Sequence, residues 1–212
     1  MIFDCDGVLV DSERLAVRLE VQLLAELGWT ITEEEIIERF VGISDGAMQR
    51  AIEEHTGRPL PPGWNEAVQP RYLEAYAADL APVPGVVGVL DRLDAAGVAT
   101  CVASSGTHEK IAYTLGLTGL VDRFDGRIFS ATEVEHGKPA PDLFLHAAAR
   151  SGVEPSRCVV VEDSRPGVDA AIAAGMQVLA YGSGVTPPAR LARDGAEVFR
   201  HMDALPALLG LP

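Results

Sequence analysis

A mostly parallel α/β core with a helical domain inserted into it is the fold this sequence predicts, and three observations predict it. Short apolar runs alternate with segments of helical period, the pattern of a parallel sheet covered by helices. One stretch, from about residue 14 to 81, breaks the alternation and holds only amphipathic helical segments. Finally, polar clusters fall at the ends of the apolar runs, the edge at which open α/β sheets bind ligands.

The expected strands are Met1 to Phe3, Ala99 to Ala103, Arg127 to Phe129, Cys158 to Val161 and Gln177 to Ala180. Each is short and bounded by Gly, Ser or Asp, as buried parallel strands tend to be. The intervening helices are expected at Val86 to Ala96, Lys110 to Leu115, Asp142 to Ser151 and Gly167 to Ala174. Gly97, Gly116, Gly152 and Gly175 each stand where a left-handed helix C-cap would fall. Inside the interrupting stretch, helices are expected at Glu13 to Leu27, Thr32 to Phe40, Asp45 to His55 and Glu66 to Leu80. Gly28 ends the first, Thr32 with Glu35 forms a capping box on the second, and Pro59 to Gly63 makes the loop before the last. Pro82 and Pro84 mark the return to the α/β pattern, which gives a core of residues 1–13 and 82–212 and a helical domain of residues 14–81.

Composition limits the partners. Of 212 residues 48% are hydrophobic, enough for a substantial core, and no segment approaches the apolar length of a membrane span. Seventeen cations against 31 anions leave a formal charge of −14, which argues against nucleic acid because a polyanion would be repelled. A small anionic substrate is still allowed, since a bound cation and a few lysines reverse the field within one cleft. Charged Asp4 directly follows Met1-Ile2-Phe3, so no signal peptide is expected and the compartment is expected to be the cytoplasm. Cys5, Cys101 and Cys158 lie in apolar runs without metal-type spacing and read as reduced core residues.

Four clusters carry chemistry. In Asp4-Cys5-Asp6-Gly7, residues two apart on a strand point the same way, so two carboxylates can face one site before Gly7 turns the chain. Their repulsion would be relieved by a divalent cation; one can attack phosphorus while the other moves protons. Ser104-Ser105-Gly106 offers a hydroxyl and backbone N–H groups at a strand end, a phosphate cradle. In Gly137-Lys138-Pro139-Ala140-Pro141-Asp142 the prolines stiffen the loop, Asp142 can cap the next helix, and Lys138 becomes a fixed cation that suits a phosphoryl oxygen and restrains Asp4. Glu162-Asp163-Ser164 ends an apolar strand with adjacent carboxylates, hard ligands that suit Mg²⁺. His108, His136 and Arg71 read as loop or solvated helix residues, and Trp29 and Trp64 as packing of the helical domain.

In this order Asp4-x-Asp6-Gly, Ser104, Lys138 and Glu162-Asp163 resemble the four motifs of the haloacid dehalogenase superfamily, over essentially the whole chain. The resemblance implies a Rossmann-like core with an α-helical cap, and kinship with β-phosphoglucomutase and small sugar-phosphate or phosphoglycolate phosphatases. It implies Asp4 as the nucleophile and Asp6 as general acid and base. It also implies Mg²⁺ on Asp4, the Asp6 carbonyl and Asp163, with Glu162 as a ligand or its support. Ser104, Ser105 and Gly106 would hold the phosphoryl group beside Lys138. Ala16 stands where the mutases carry a histidine, and Gly42-Ile43-Ser44 is followed by Asp45 where they carry an arginine. Both differences favour hydrolysis of a small phosphorylated metabolite over a β-phosphoglucomutase-type isomerisation, and a monomer is expected.

Overall fold

The computed structural model describes residues 1–41 and 45–211, so the Gly42-Ile43-Ser44 loop lies outside the described residues. Six strands form one sheet: β1 (Ile2–Phe3), β2 (Cys101–Ser104), β3 (Ile128–Ser130), β4 (Val159–Glu162), β5 (Gln177–Tyr181) and β6 (Ala196–Phe199). Their spatial order is β3-β2-β1-β4-β5-β6, and every neighbouring pair is parallel. Parallel neighbours need crossovers, and helices supply them on both faces. Strand alternation divides the core accordingly. Phe3, Val102, Val161 and Leu179 pack on one face against Val86, Leu90 and Leu93 of α5 (Val86–Ala95) and Ile111 and Leu115 of α6 (His108–Leu117). Ile2, Cys101, Val160 and Val178 pack on the other against Leu143 and Phe144 of α7 (Asp142–Arg150) and Val168 and Ala171 of α8 (Arg165–Ala173). All three cysteines are buried and free.

Between β1 and α5 the chain forms α1 (Ser12–Glu26), α2 (Glu33–Arg39), α3 (Asp45–Thr56) and α4 (Trp64–Asp79). These helices hold two apolar clusters of their own. Val17, Leu24, Trp29, Ile36, Phe40 and Ile52 make one; Leu19, Leu23 and Val68 make the other, with Trp64 beside them. The capping box forms as the sequence demands: Thr32 Oγ1 accepts from the Glu35 N–H at 3.2 Å, and Glu35 Oε2 accepts from the Thr32 N–H at 3.0 Å. The two connections to the sheet lie side by side. Asp11 N–H donates to Ala81 O at 3.0 Å and Val83 N–H to Leu9 O at 3.0 Å.

Some expectations need correction. β6 lies outside the expected strands; it is one of the two edge strands of the sheet and only its last residue, Phe199, is buried. Gly116 lies inside α6, and the left-handed residue after that helix is Gly119, at φ +69°. Gly97, Gly152 and Gly175 do take positive φ. Asp142 does not cap α7: Pro141 occupies the cap position, and the Asp142 carboxylate pairs with His136 instead. Among the described residues no helix is long and apolar enough to cross a membrane.

Candidate active site

The register of the sheet assembles the site. Phe3 stands opposite Val102 on one side and Val161 on the other, so the next row along brings Asp4 level with Ala103 and Glu162. This is the carboxyl edge at the point where the strand order reverses about β1, the ligand-binding position of open α/β sheets. Asp4, Glu162 and Asp163 are buried there, with one carboxylate oxygen from each lying within 4.8 Å of the others.

One cation pairs with two of these three acids. Lys138 Nζ donates to Asp4 Oδ1 at 2.5 Å, to Glu162 Oε1 at 2.7 Å and to Ala103 O at 3.1 Å, which uses all three of its N–H groups. Its side chain is only 4% exposed. Burial pulls the ammonium down, but the Asp4 and Glu162 charges hold it above the ordinary lysine range. Glu162 is held from its other side as well, where Oε2 accepts from Ser164 N–H at 2.8 Å and Ser164 Oγ at 2.9 Å. Ser164 Oγ in turn caps α8 by accepting from Gly167 N–H.

The negative charge is not balanced by Lys138 alone. Burial pushes the Asp4 carboxyl up to about 7 against the pull of Lys138. Burial and the neighbouring Glu162 charge push Asp163 well above the carboxylate range. Among the described residues no hydrogen bond reaches the Asp163 carboxylate. Close-packed acids with oxygen donors and a deficit of positive charge fit a hard divalent cation. Two glycines make the packing possible. A Cβ on Gly7, whose φ is +76°, would lie 2.0 Å from Asp163 Oδ2, and one on Gly167 would lie 1.8 Å from Glu162 Oε1.

Asp6 is placed differently. Its carboxylate turns away from the acid cluster: Oδ1 accepts from Ser12 Oγ at 2.5 Å and Oδ2 from Lys110 Nζ at 2.9 Å. Burial would raise its pKa, yet the Lys110 charge and the Ser12 hydrogen bond keep it below the usual value. Asp4 thus joins Glu162 and Asp163, while the Asp6 carboxylate is held by Ser12 and Lys110. Ser104 is buried, and its Oγ accepts from Gly106 N–H at 3.2 Å, so that amide is already engaged within the loop. Ser105 is exposed and Gly106 half-buried, and Gly106 O accepts from Ser130 Oγ at 2.6 Å. His108 pairs with Glu133, and Arg71 pairs with Glu26 on the outside of the helices.

Sequence reasoning gave no role to Tyr76 or Lys110, and took Asp11-Ser12-Glu13 only as a linker resembling that of the phosphatases. Glu13 is half-buried near Asp6 and Lys110, and burial followed by the Asp6 charge pushes its carboxyl up to about 7. One signal could have found Lys110. The chain has only two lysines, Lys110 and Lys138, among seventeen basic residues, and both end on carboxylates of the opening motif.

The fold and the acid cluster define a hydrolase class, and comparison with known proteins agrees. The family model for haloacid dehalogenase-like hydrolases matches residues 1–175, and the chain belongs to that family as a phosphoric monoester hydrolase. It is 29% identical over 209 residues to 6-phosphogluconate phosphatase of Escherichia coli (strain K12), covering 98% of this chain and 93% of that one. It is 34% identical over 223 residues to a probable pseudouridine-5'-phosphatase of Drosophila melanogaster, covering 100% and 93%. Among solved structures, a hydrolase of this family from Deinococcus radiodurans R1 with bound phosphate and sodium superposes with a TM-score of 0.85. It is 30% identical, with 99% of this chain and 93% of that one covered.

Proposed function

We propose that the chain hydrolyses a small phosphate monoester, a sugar phosphate or phosphorylated sugar acid, through an aspartyl-phosphate on Asp4. The observation that carries this reading is the buried set of Asp4, Lys138, Glu162 and Asp163 at the carboxyl edge of β1, with Asp6 two residues on. Asp4 would attack phosphorus through a carboxylate oxygen as the ester P–O bond breaks, and the leaving oxygen would take a proton from Asp6. Asp6, then ionised, would take a proton from water as that water attacks the acyl phosphate, releasing inorganic phosphate and free Asp4.

Burial drives the Asp4 carboxyl toward its protonated form, and protonated Asp4 is a poor nucleophile. The chain therefore calls for more positive charge than Lys138 brings. We assign that charge to Mg²⁺ held by Asp4, Asp163 and the Asp6 carbonyl, with Glu162 as a further ligand or support; when bound it would neutralise the phosphoryl oxygens and keep Asp4 ionised. Lys138, with every N–H committed, acts first by restraining Asp4 and Glu162, and a phosphoryl oxygen would share one of those bonds. Ser104, Ser105 and Gly106 would cradle the phosphoryl group. Helices α1 to α4, residues 14–81, would act as a cap that excludes bulk water, and the protein would work as a monomer in the cytoplasm.

Phosphate release from a panel of sugar phosphates, with Mg²⁺ or with EDTA, tests the reading on wild type and Asp4→Asn. Release that needs the metal and disappears in the variant supports it. Release that survives Asp4→Asn would remove Asp4 as nucleophile, and glucose 1-phosphate converted without phosphate release would favour an isomerase.

A further inference from the structure

The two lysines divide the opening motif between them: Lys138 ends on Asp4, and Lys110 on Asp6. Their settings differ. The Lys138 side chain is sealed at 4% exposure, whereas that of Lys110 keeps 40%. Lys110 comes from the first turn of α6, whose start is fixed by Thr107 Oγ1 accepting from Lys110 N–H at 3.3 Å. Glu13 of α1 and Tyr76 of α4 lie near Lys110. Tyr113 Oη, one turn along α6, donates to Leu73 O of α4 at 3.3 Å and ties the two helices together.

Asp6 is thus gripped at both oxygens by different elements, Ser12 at the start of α1 and Lys110 on α6. A lysine loses rotamer freedom when it is fixed this way, so its neighbours must offset that cost. The choice of lysine also matters. An ammonium donates one hydrogen bond to one oxygen and leaves that oxygen a second lone-pair direction. A guanidinium would fork across both oxygens and compete with Ser12.

We propose that Lys110 is the positioning residue of the leaving-group half-reaction. It holds Asp6 Oδ2 toward the cleft, where the oxygen of the departing alcohol must meet the carboxyl group. The inference rests on the phosphatase reading and extends it to a residue outside the four motifs. Lys110 forms no bond to phosphorus and acts only through Asp6, so its effect follows the leaving group's need for a proton.

The test compares kcat/KM for p-nitrophenyl phosphate with that for sorbitol 6-phosphate in wild type, Asp6→Asn, Lys110→Met and the double variant. The ratio kcat/KM reports only steps through transfer of phosphorus to Asp4. Nitrophenolate departs without a proton and a sugar alkoxide does not. Lys110→Met is expected to lose at least tenfold more on the sugar phosphate than on the aryl phosphate, as Asp6→Asn does. The double variant should be no worse on the sugar phosphate than Asp6→Asn alone, because the two residues act as one unit. Equal losses on both substrates, or losses that multiply in the double variant, would make Lys110 a packing residue and overturn the proposal. The aryl activity itself reports folding of each variant. Wild type that releases no Asp4-dependent phosphate from either ester would overturn the phosphatase reading and the proposal with it.

Discussion

At the scale of single residues, the site is a problem of charge in a dry place, answered differently at positions two apart. Asp4 is buried beside two other acids and drifts toward neutrality, while the carboxyl of Asp6, set between a hydroxyl and an ammonium, is held below its ordinary value. Glu13 is the residue where this accounting meets stability. Its carboxyl is pushed up to about 7, so the folded state holds its proton more tightly than the unfolded chain does. The stability this confers is full below the unfolded value near 4.5 and is lost as pH rises through about 7. Glu13→Gln should therefore melt at the same temperature as wild type at pH 4 and higher at pH 8, by up to ~7–14 °C, as seen by calorimetry. A gap that is constant across this range would mean that Glu13 is as well solvated folded as unfolded.

At the scale of elements, the chain used its capping residues for two separate ends, which mutation can tell apart. Thr32 caps α2 far from the acids, whereas Ser164 caps α8 and also holds Glu162 Oε2. Thr32→Ala should cost about 1 kcal/mol of stability and leave phosphate release unchanged. Ser164→Ala should cost about as much from the cap and lower kcat as well, because Glu162 and through it Lys138 lose an anchor. Denaturant melts and initial rates on the two variants check this. The Thr32 cap, strands β1 to β5 and most glycine stops were legible because they rest on local backbone chemistry. The edge strand β6 was not: Ala196-Glu197-Val198-Phe199 has neither an apolar run nor a clean alternation, and it becomes a strand only by pairing with β5. Asp142 misled for a related reason, since Pro141 takes the cap position and frees the carboxylate for His136.

At the scale of the whole molecule, one sheet gathers acids that lie up to 159 residues apart in sequence, from Asp4 to Asp163, and leaves them short of positive charge. Stability should then depend on the proposed cation. Saturating Mg²⁺, about 100 times its Kd, adds about 2.7 kcal/mol, which for a chain of this size is about 5–10 °C in melting temperature. Asp163→Asn should abolish that shift in a thermal melt, and a wild-type melt indifferent to Mg²⁺ would remove the cation from the proposal. The residues at strand ends could be read from the sequence because each ends its own apolar run. Ser12, Tyr76 and Lys110 could not, because three helices bring them to Asp6 and no local pattern records that meeting.

The scarcity of lysine has a practical edge. Fifteen arginines carry the rest of the positive charge, so acylating reagents that seek primary amines find only the two lysines and the chain's amino terminus. Attachment of this protein to a bead, a dye or a sensor chip through side-chain amines would draw on partners of Asp4 and Asp6, of which Lys110 is the more open. Thiol chemistry offers no substitute while all three cysteines are buried, and a tag or an introduced surface cysteine is the gentler handle.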